Sequence, residues 1–101
     1  MRLFSMMQLK QAIQYAKEGN QSLHIHTIVF PDSPKCFRNA VARGEYIAHL
    51  FDQDKDRLIK TVKKYGVKVI KIEHEGTEKQ HIDLCGKPLK RIIKLADDNW
   101  Y

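Results

Sequence analysis

Two short patterns set chemistry-bearing side chains two residues apart, His24-x-His26 and His81-x-Asp83. Alternate residues of an extended strand point to the same face, so either pattern can aim two donor groups at one point. Paired imidazoles at this spacing occur at metal sites, where a third and a fourth ligand must arrive from elsewhere in the chain. His49, His74, His81, Asp83, Cys36 and Cys85 are able to supply them, on condition that folding brings them close. The plainer reading makes His24 and His26 half-buried, hydrogen-bonded strand residues beside Ile28 and Phe30.

His81-x-Asp83 stands at the expected end of a strand, where ligands and catalytic groups of α/β proteins gather. The helix expected to follow, opening near Lys87 and Pro88, offers free amides and a positive dipole to a phosphate. In that setting His81 can act as acid, base or ligand, with Asp83 orienting it or sharing the metal. Against this stands a simple strand end, with Asp83 serving local backbone amides. Asp52, Asp54 and Asp56 suggest the opening of a calcium loop, but Arg57 stands where that loop needs glycine and Lys63 where it needs a bidentate glutamate. Helix capping and dipole complementarity account for these acids without an ion.

Cations form a second kind of candidate. Lys87, Lys90, Arg91 and Lys94 share the outward face expected of the last helix, and Lys55, Lys60, Lys63 and Lys64 that of an earlier one. Such rows suit phosphate contacts, although most are simply solvated. The chain carries 18 Lys and Arg against 12 Asp and Glu, a net charge of +6, which favours nucleic acid or an acidic protein as partner. No zinc finger, RNP-like aromatic pattern or helix-turn-helix accompanies the charge, so sequence-specific readout is not expected. Trp100 and Tyr101 offer rings for stacking on a base or a partner.

The elements that must position these groups follow from periodicity. Met6, Leu9, Ile13 and Ala16, between a Ser5 cap and Gly19, predict an amphipathic helix. "SLHIHTIVF" predicts a strand ended by Pro31 and Pro34, "KCFRNAVARG" a short helix, and "EYIAHLF" a second strand. "DQDKDRLIKTVKKYG" has acids in its first turn, lysines in its last, an apolar stripe of Leu58, Ile59, Val62 and Tyr65, and a Gly66 stop, so a helix is expected. "VKVIKIE" is expected to be a strand covered on both faces, "HEGTEKQ" a loop and "HIDL" a few more residues of strand. Pro88 opens a last helix with Leu89, Ile92, Ile93 and Ala96 facing inward, and "DDNWY" is a tail. At 101 residues one core, and so a single α/β domain over 1–101, is the expectation. The long connections predict a largely parallel sheet of three or four strands with about four helices. Two cysteines without metal or disulfide spacing fit reduced thiols in a cytoplasm. No segment reads as a signal peptide or membrane span, so no membrane partner is expected. Nothing in the pattern requires a particular oligomeric state.

"AHLFDQDKDRLIKTVKKYGVK" followed by "HIDLCGKPLKRIIKLA" resembles a family of small bacterial and phage proteins catalogued as domain of unknown function 4031. The family opens with a strand ending in acids, then has an S/A-H-L motif, an aspartate before a helix closed by a glycine turn, and a late H-Y-D-L motif followed by a basic residue. Ala48, His49 and Leu50 match the first motif, Asp52 or Asp54 the aspartate, and Tyr65 and Gly66 the turn. His81, Ile82, Asp83 and Leu84 match the second motif, and Arg91 the basic residue. The chain departs from the family at "VFPDSP", which offers only Asp32 in place of paired acids, and at Ile82, which replaces a tyrosine. The resemblance implies that His49, His81 and Asp83 form a polar functional site, without assigning a reaction.

Two functional expectations result. The first is a small basic binding protein, of phage or bacterial type by the resemblance, that contacts nucleic acid or an acidic protein through Lys87, Lys90, Arg91 and Lys94. The second is a metal-assisted hydrolase or nuclease with His49, His81 and Asp83 as catalytic and ligand residues around a divalent ion, joined by Asp32 or Asp52. Charge favours the first, because it is already present in the composition.

Overall fold

The structure is a computed structural model and describes residues 1–26 and 47–98. In chain order the elements are β1 (Arg2–Phe4), a 3-10 turn (Met6–Gln8), α1 (Leu9–Lys17), β2 (Ser22–His26) and β3 (Ile47–Phe51). After these come α2 (Lys55–Lys64), β4 (Ile72–Glu73), β5 (His81–Leu84), α3 (Gly86–Ile93) and β6 (Asp97–Asp98). The six strands form one sheet in the order β4-β5-β3-β2-β1-β6.

The sheet is mixed, which corrects the expectation of a largely parallel sheet of three or four strands. β2–β3, β3–β5 and β4–β5 are antiparallel, and only β1–β2 and β1–β6 are parallel. Each helix-containing connection, β1-α1-β2, β3-α2-β4 and β5-α3-β6, joins strands that run the same way, as a crossover does; the sheet is mixed because the crossovers interleave, setting β3 between β2 and β5 and β5 between β3 and β4. Between β3 and β5 the chain passes through α2 and then β4, which pairs with β5 antiparallel. Three α-helices lie among the described residues, against about four expected, and the short helix expected at residues 35–44 lies outside them. β1 and part of the supposed tail, β6, are strands of three and two residues, too short to show a period. "VKVIKIE" is not a strand covered on both faces. Only Ile72 and Glu73 pair, at the sheet edge, and Val69 is 82% exposed.

Strand alternation sorts the side chains into two layers. Leu23 and Ile25 of β2, Ala48 and Leu50 of β3, and Ile82 and Leu84 of β5 form the main core with Leu58 and Val62 of α2 and Leu89, Ile92 and Ile93 of α3. Both of these helices therefore cover the same face. On the other face α1 packs Ala12 and Ala16 against Phe4 and Phe51, flanked by Ile13 and Tyr15. The small alanines let this helix sit close to the sheet, and Ser22 Oγ donates to the Ala12 carbonyl at 2.5 Å. The intervening strand residues, His24, His26, His49, His81 and Asp83, share this second face with Phe51.

α2 forms as its sequence dictates. The Asp54 carboxylate accepts from the Arg57 amide at 3.1 Å, satisfying one of the amides orphaned at a helix start. Gly66, at φ 100°, closes the other end, with its own amide on the Lys63 carbonyl and that of Val67 on the Val62 carbonyl. In α3, Pro88 sits in the first turn, and Leu89, Ile92 and Ile93 are buried while Lys87, Lys90, Arg91 and Lys94 are exposed. No helix among the described residues is long and apolar enough to cross a membrane.

Candidate metal centre

Three neighbouring strands build the site. In the antiparallel registers His49 stands opposite His24 on one side and Asp83 on the other, while Phe51 stands opposite His81. Directly opposed residues share a sheet face at close range, so one lateral row carries His24, His49 and Asp83. His26 extends it along β2 and His81 along β5.

All five histidines of the chain join in one network of ring contacts. The ring centroids of His49 lie 5.7 Å from His24, 5.6 Å from His26 and 4.7 Å from His81. His74, held at φ 53° in the β4–β5 connection, brings its ring to 5.9 Å from His81. The ring of Phe51 closes the floor 5.0 Å from His81.

Asp83 ties the centre together. Its Oδ1 lies 2.6 Å from His49 Nδ1 and 3.2 Å from His81 Nε2. His81 Nδ1 faces the Lys79 carbonyl at 2.7 Å, and because a carbonyl only accepts, Nδ1 carries the proton there. Nε2 of the neutral ring then presents a lone pair to a carboxylate oxygen. That contact is satisfied by a cation between the two atoms or by a second proton on the ring. One ligand atom each from His49, His81 and Asp83 lies within 4.8 Å of the others. Asp83 is half exposed and His81 nearly buried, so the group opens to solvent on its carboxylate side.

Burial favours the neutral form of His24 and His49, the form in which an imidazole binds metal. His24 is 3% exposed, and its pKa is lowered to about 4, first by that burial, against the raising effect of its hydrogen bond to Met6. The rings of His49, His26 and His81 push it further down. His49 is also lowered by burial, partly offset by its hydrogen bond to Asp83. His24 Nε2 donates to the Met6 carbonyl at 3.1 Å, while its buried Nδ1 has no hydrogen-bond partner among the described residues.

The structure thus brings together His24, His26, His49, His81 and Asp83 and leaves other candidates out. Asp52 is not a ligand. Fully buried, it already accepts from Arg57 Nε and Nη2 at 2.8 and 2.7 Å, Gln21 Nε2 at 2.9 Å and the Asp54 amide at 2.9 Å. Cys85 is a free, exposed thiol, and Cys36 and Asp32 lie outside the described residues. Pattern reasoning linked His74 to the site only as a remote donor, because its approach depends on the turn after β4. No family model matches the chain, and no curated protein or solved structure does so either.

Proposed function

We propose that the chain binds a divalent transition-metal ion through His49, His81 and Asp83 and uses it to hydrolyse phosphate esters. The observation that carries this reading is the convergence of His49 and His81 on one half-exposed carboxylate, inside a network of ring contacts that joins all five histidines. Imidazole nitrogens beside a carboxylate suit zinc or manganese better than magnesium, which prefers oxygen donors. Three protein ligands leave a coordination position for water, and a bound ion brings the pKa of that water toward neutrality and polarises a phosphoryl oxygen. The net charge of +6 draws anionic esters toward the molecule. His49, His81 and Asp83 also carry the resemblance to the domain of unknown function 4031 family, and kinship with that family is part of the proposal.

Thermal unfolding with Zn²⁺, Mn²⁺ and Mg²⁺ tests the ligand set. A ligand bound only by the folded state at a hundredfold excess over its Kd adds about 2.7 kcal/mol, which raises the Tm of a chain this size by roughly 10 °C or more. The expected result is a rise with Zn²⁺ or Mn²⁺ that His81→Ala and Asp83→Ala both abolish, together with metal-dependent hydrolysis of a nitrophenyl phosphate lost in the same variants. Absence of any metal-dependent shift would sink the reading. A shift without turnover would leave a metal-binding protein and remove the hydrolase.

A further inference from the structure

The cations of α2 and α3 occupy the side of the sheet opposite the histidines, since both helices bury their apolar stripes against Leu23, Ile25, Leu50 and Leu84. α3 presents Lys87, Lys90, Arg91 and Lys94 at the i, i+3, i+4, i+7 spacing of a single helical face, and all four are exposed. Lys63 and Lys64 of α2 are exposed as well. Arg91 Nη1 donates to the Tyr65 carbonyl at 3.3 Å, which sets the last turn of α2, with its two lysines, against the middle of α3. The two helices therefore make one basic surface.

Three features separate this surface from ordinary solvated charge. None of the six cations forms an ion pair among the described residues, nor do Lys10, Lys60, Lys68 and Lys79, whereas Lys17 of α1, Lys55 at the far end of α2 and Lys71 are matched by Glu78, Glu75 and Glu73. No acid lies in α3, so nothing dilutes the positive potential along that helix. Dipole complementarity explains cations in a last turn but not Lys87, which stands in the first turn, where the dipole opposes it. An acidic protein partner would need apolar or aromatic anchors in the patch, and among the described residues Leu95 is the sole large exposed apolar residue beside α3.

We infer that the outer surface of α2 and α3 docks the phosphate backbone of nucleic acid without reading its sequence, on the face of the sheet opposite the metal centre. Phosphate contacts of this kind need only flexible cations at a regular spacing and release counterions on binding. A strand held on the helices lies across the sheet from His81, so the molecule that binds nucleic acid does not present it to its own metal centre. The inference stands independently of the proposed hydrolysis.

Fluorescence anisotropy with a labelled mixed-sequence DNA duplex, titrated from 25 to 300 mM salt, tests it. The expected result is binding that falls linearly on a log–log plot with salt, with a slope of about −0.9 for each phosphate neutralised. The triple variant Lys63→Glu, Lys90→Glu, Lys94→Glu should bind at least a hundredfold more weakly with a shallower slope, and His81→Ala should bind as the wild type does. The triple Lys→Gln variant, which keeps helix propensity while removing charge, guards against a folding defect and should fall between them. No binding at low salt, an unchanged slope in both triple variants, or equal affinity for a polyglutamate chain would overturn the inference.

Discussion

His24 carries a cost that the rest of the fold must offset: an imidazole buried with one nitrogen on Met6 and the other without a partner among the described residues. Its folded pKa, about 4, lies below the ordinary imidazole value of 6.5, so the unfolded chain binds the proton more readily. Stability tied to this ring is therefore fully present above pH 6.5 and lost as the pH falls toward 4, by about 3 kcal/mol over the window. His49, also lowered by burial, acts in the same direction. Urea midpoints measured at pH 7.5, 5.5 and 4.5 should fall steadily, and His24→Leu should flatten much of the fall. A wild-type midpoint that held or rose on acidification would contradict this assignment. Any zinc-dependent stabilisation should fade on acidification, because protons compete with the ion for its ligands.

At the scale of elements, the junction between β3 and α2 is held by two neighbouring aspartates with different duties. Asp54 caps the helix with one side-chain bond, while Asp52, fully buried, gathers four donors and also draws Gln80 Nε2 to its own carbonyl at 2.8 Å. The Arg57 pKa is raised chiefly by its hydrogen bonds to this carboxylate. Asp54→Ala should cost about 1 kcal/mol, the usual worth of a cap. Arg57→Met should cost about 3–5 kcal/mol, because it strands a buried carboxylate. Chemical denaturation of both variants checks the order, and equal losses would mean that the Asp52 node is not a buried ion pair in solution. The cap and the glycine stop of α2 were legible in "DQDKDRLIKTVKKYG", since each depends on neighbours within one turn. The Asp52 node was not, because Gln21 and Gln80 reach it from distant parts of the chain.

For the whole molecule, the sheet acts as a partition with histidines on one side and basic helices on the other. Two sites separated in this way share no partner residues, so their variants should combine additively. The metal-dependent Tm rise of Lys63→Glu, Lys90→Glu, Lys94→Glu should match that of the wild type within about 1 °C for each 0.2 kcal/mol of coupling. A rise abolished by charge reversal alone would show that the two faces communicate, and would join binding and hydrolysis into one function.

The sequence by itself determined what local physics controls. Period two put His24 with His26 and His81 with Asp83 on common strand faces, period 3.6 put the lysines of α2 and α3 outward, and capping residues bounded α2. Strand neighbours and their direction were decided only by the tertiary structure. Alternation fixes which face a residue occupies but not which strand lies beside it, and β1 and β6 are too short to show alternation at all. The register that sets His49 between His24 and Asp83 arises from pairing across separations of 25 and 34 residues, where core burial of Leu23, Leu50 and Ile82 selects the alignment. Long-range packing of the apolar face thus placed the polar one.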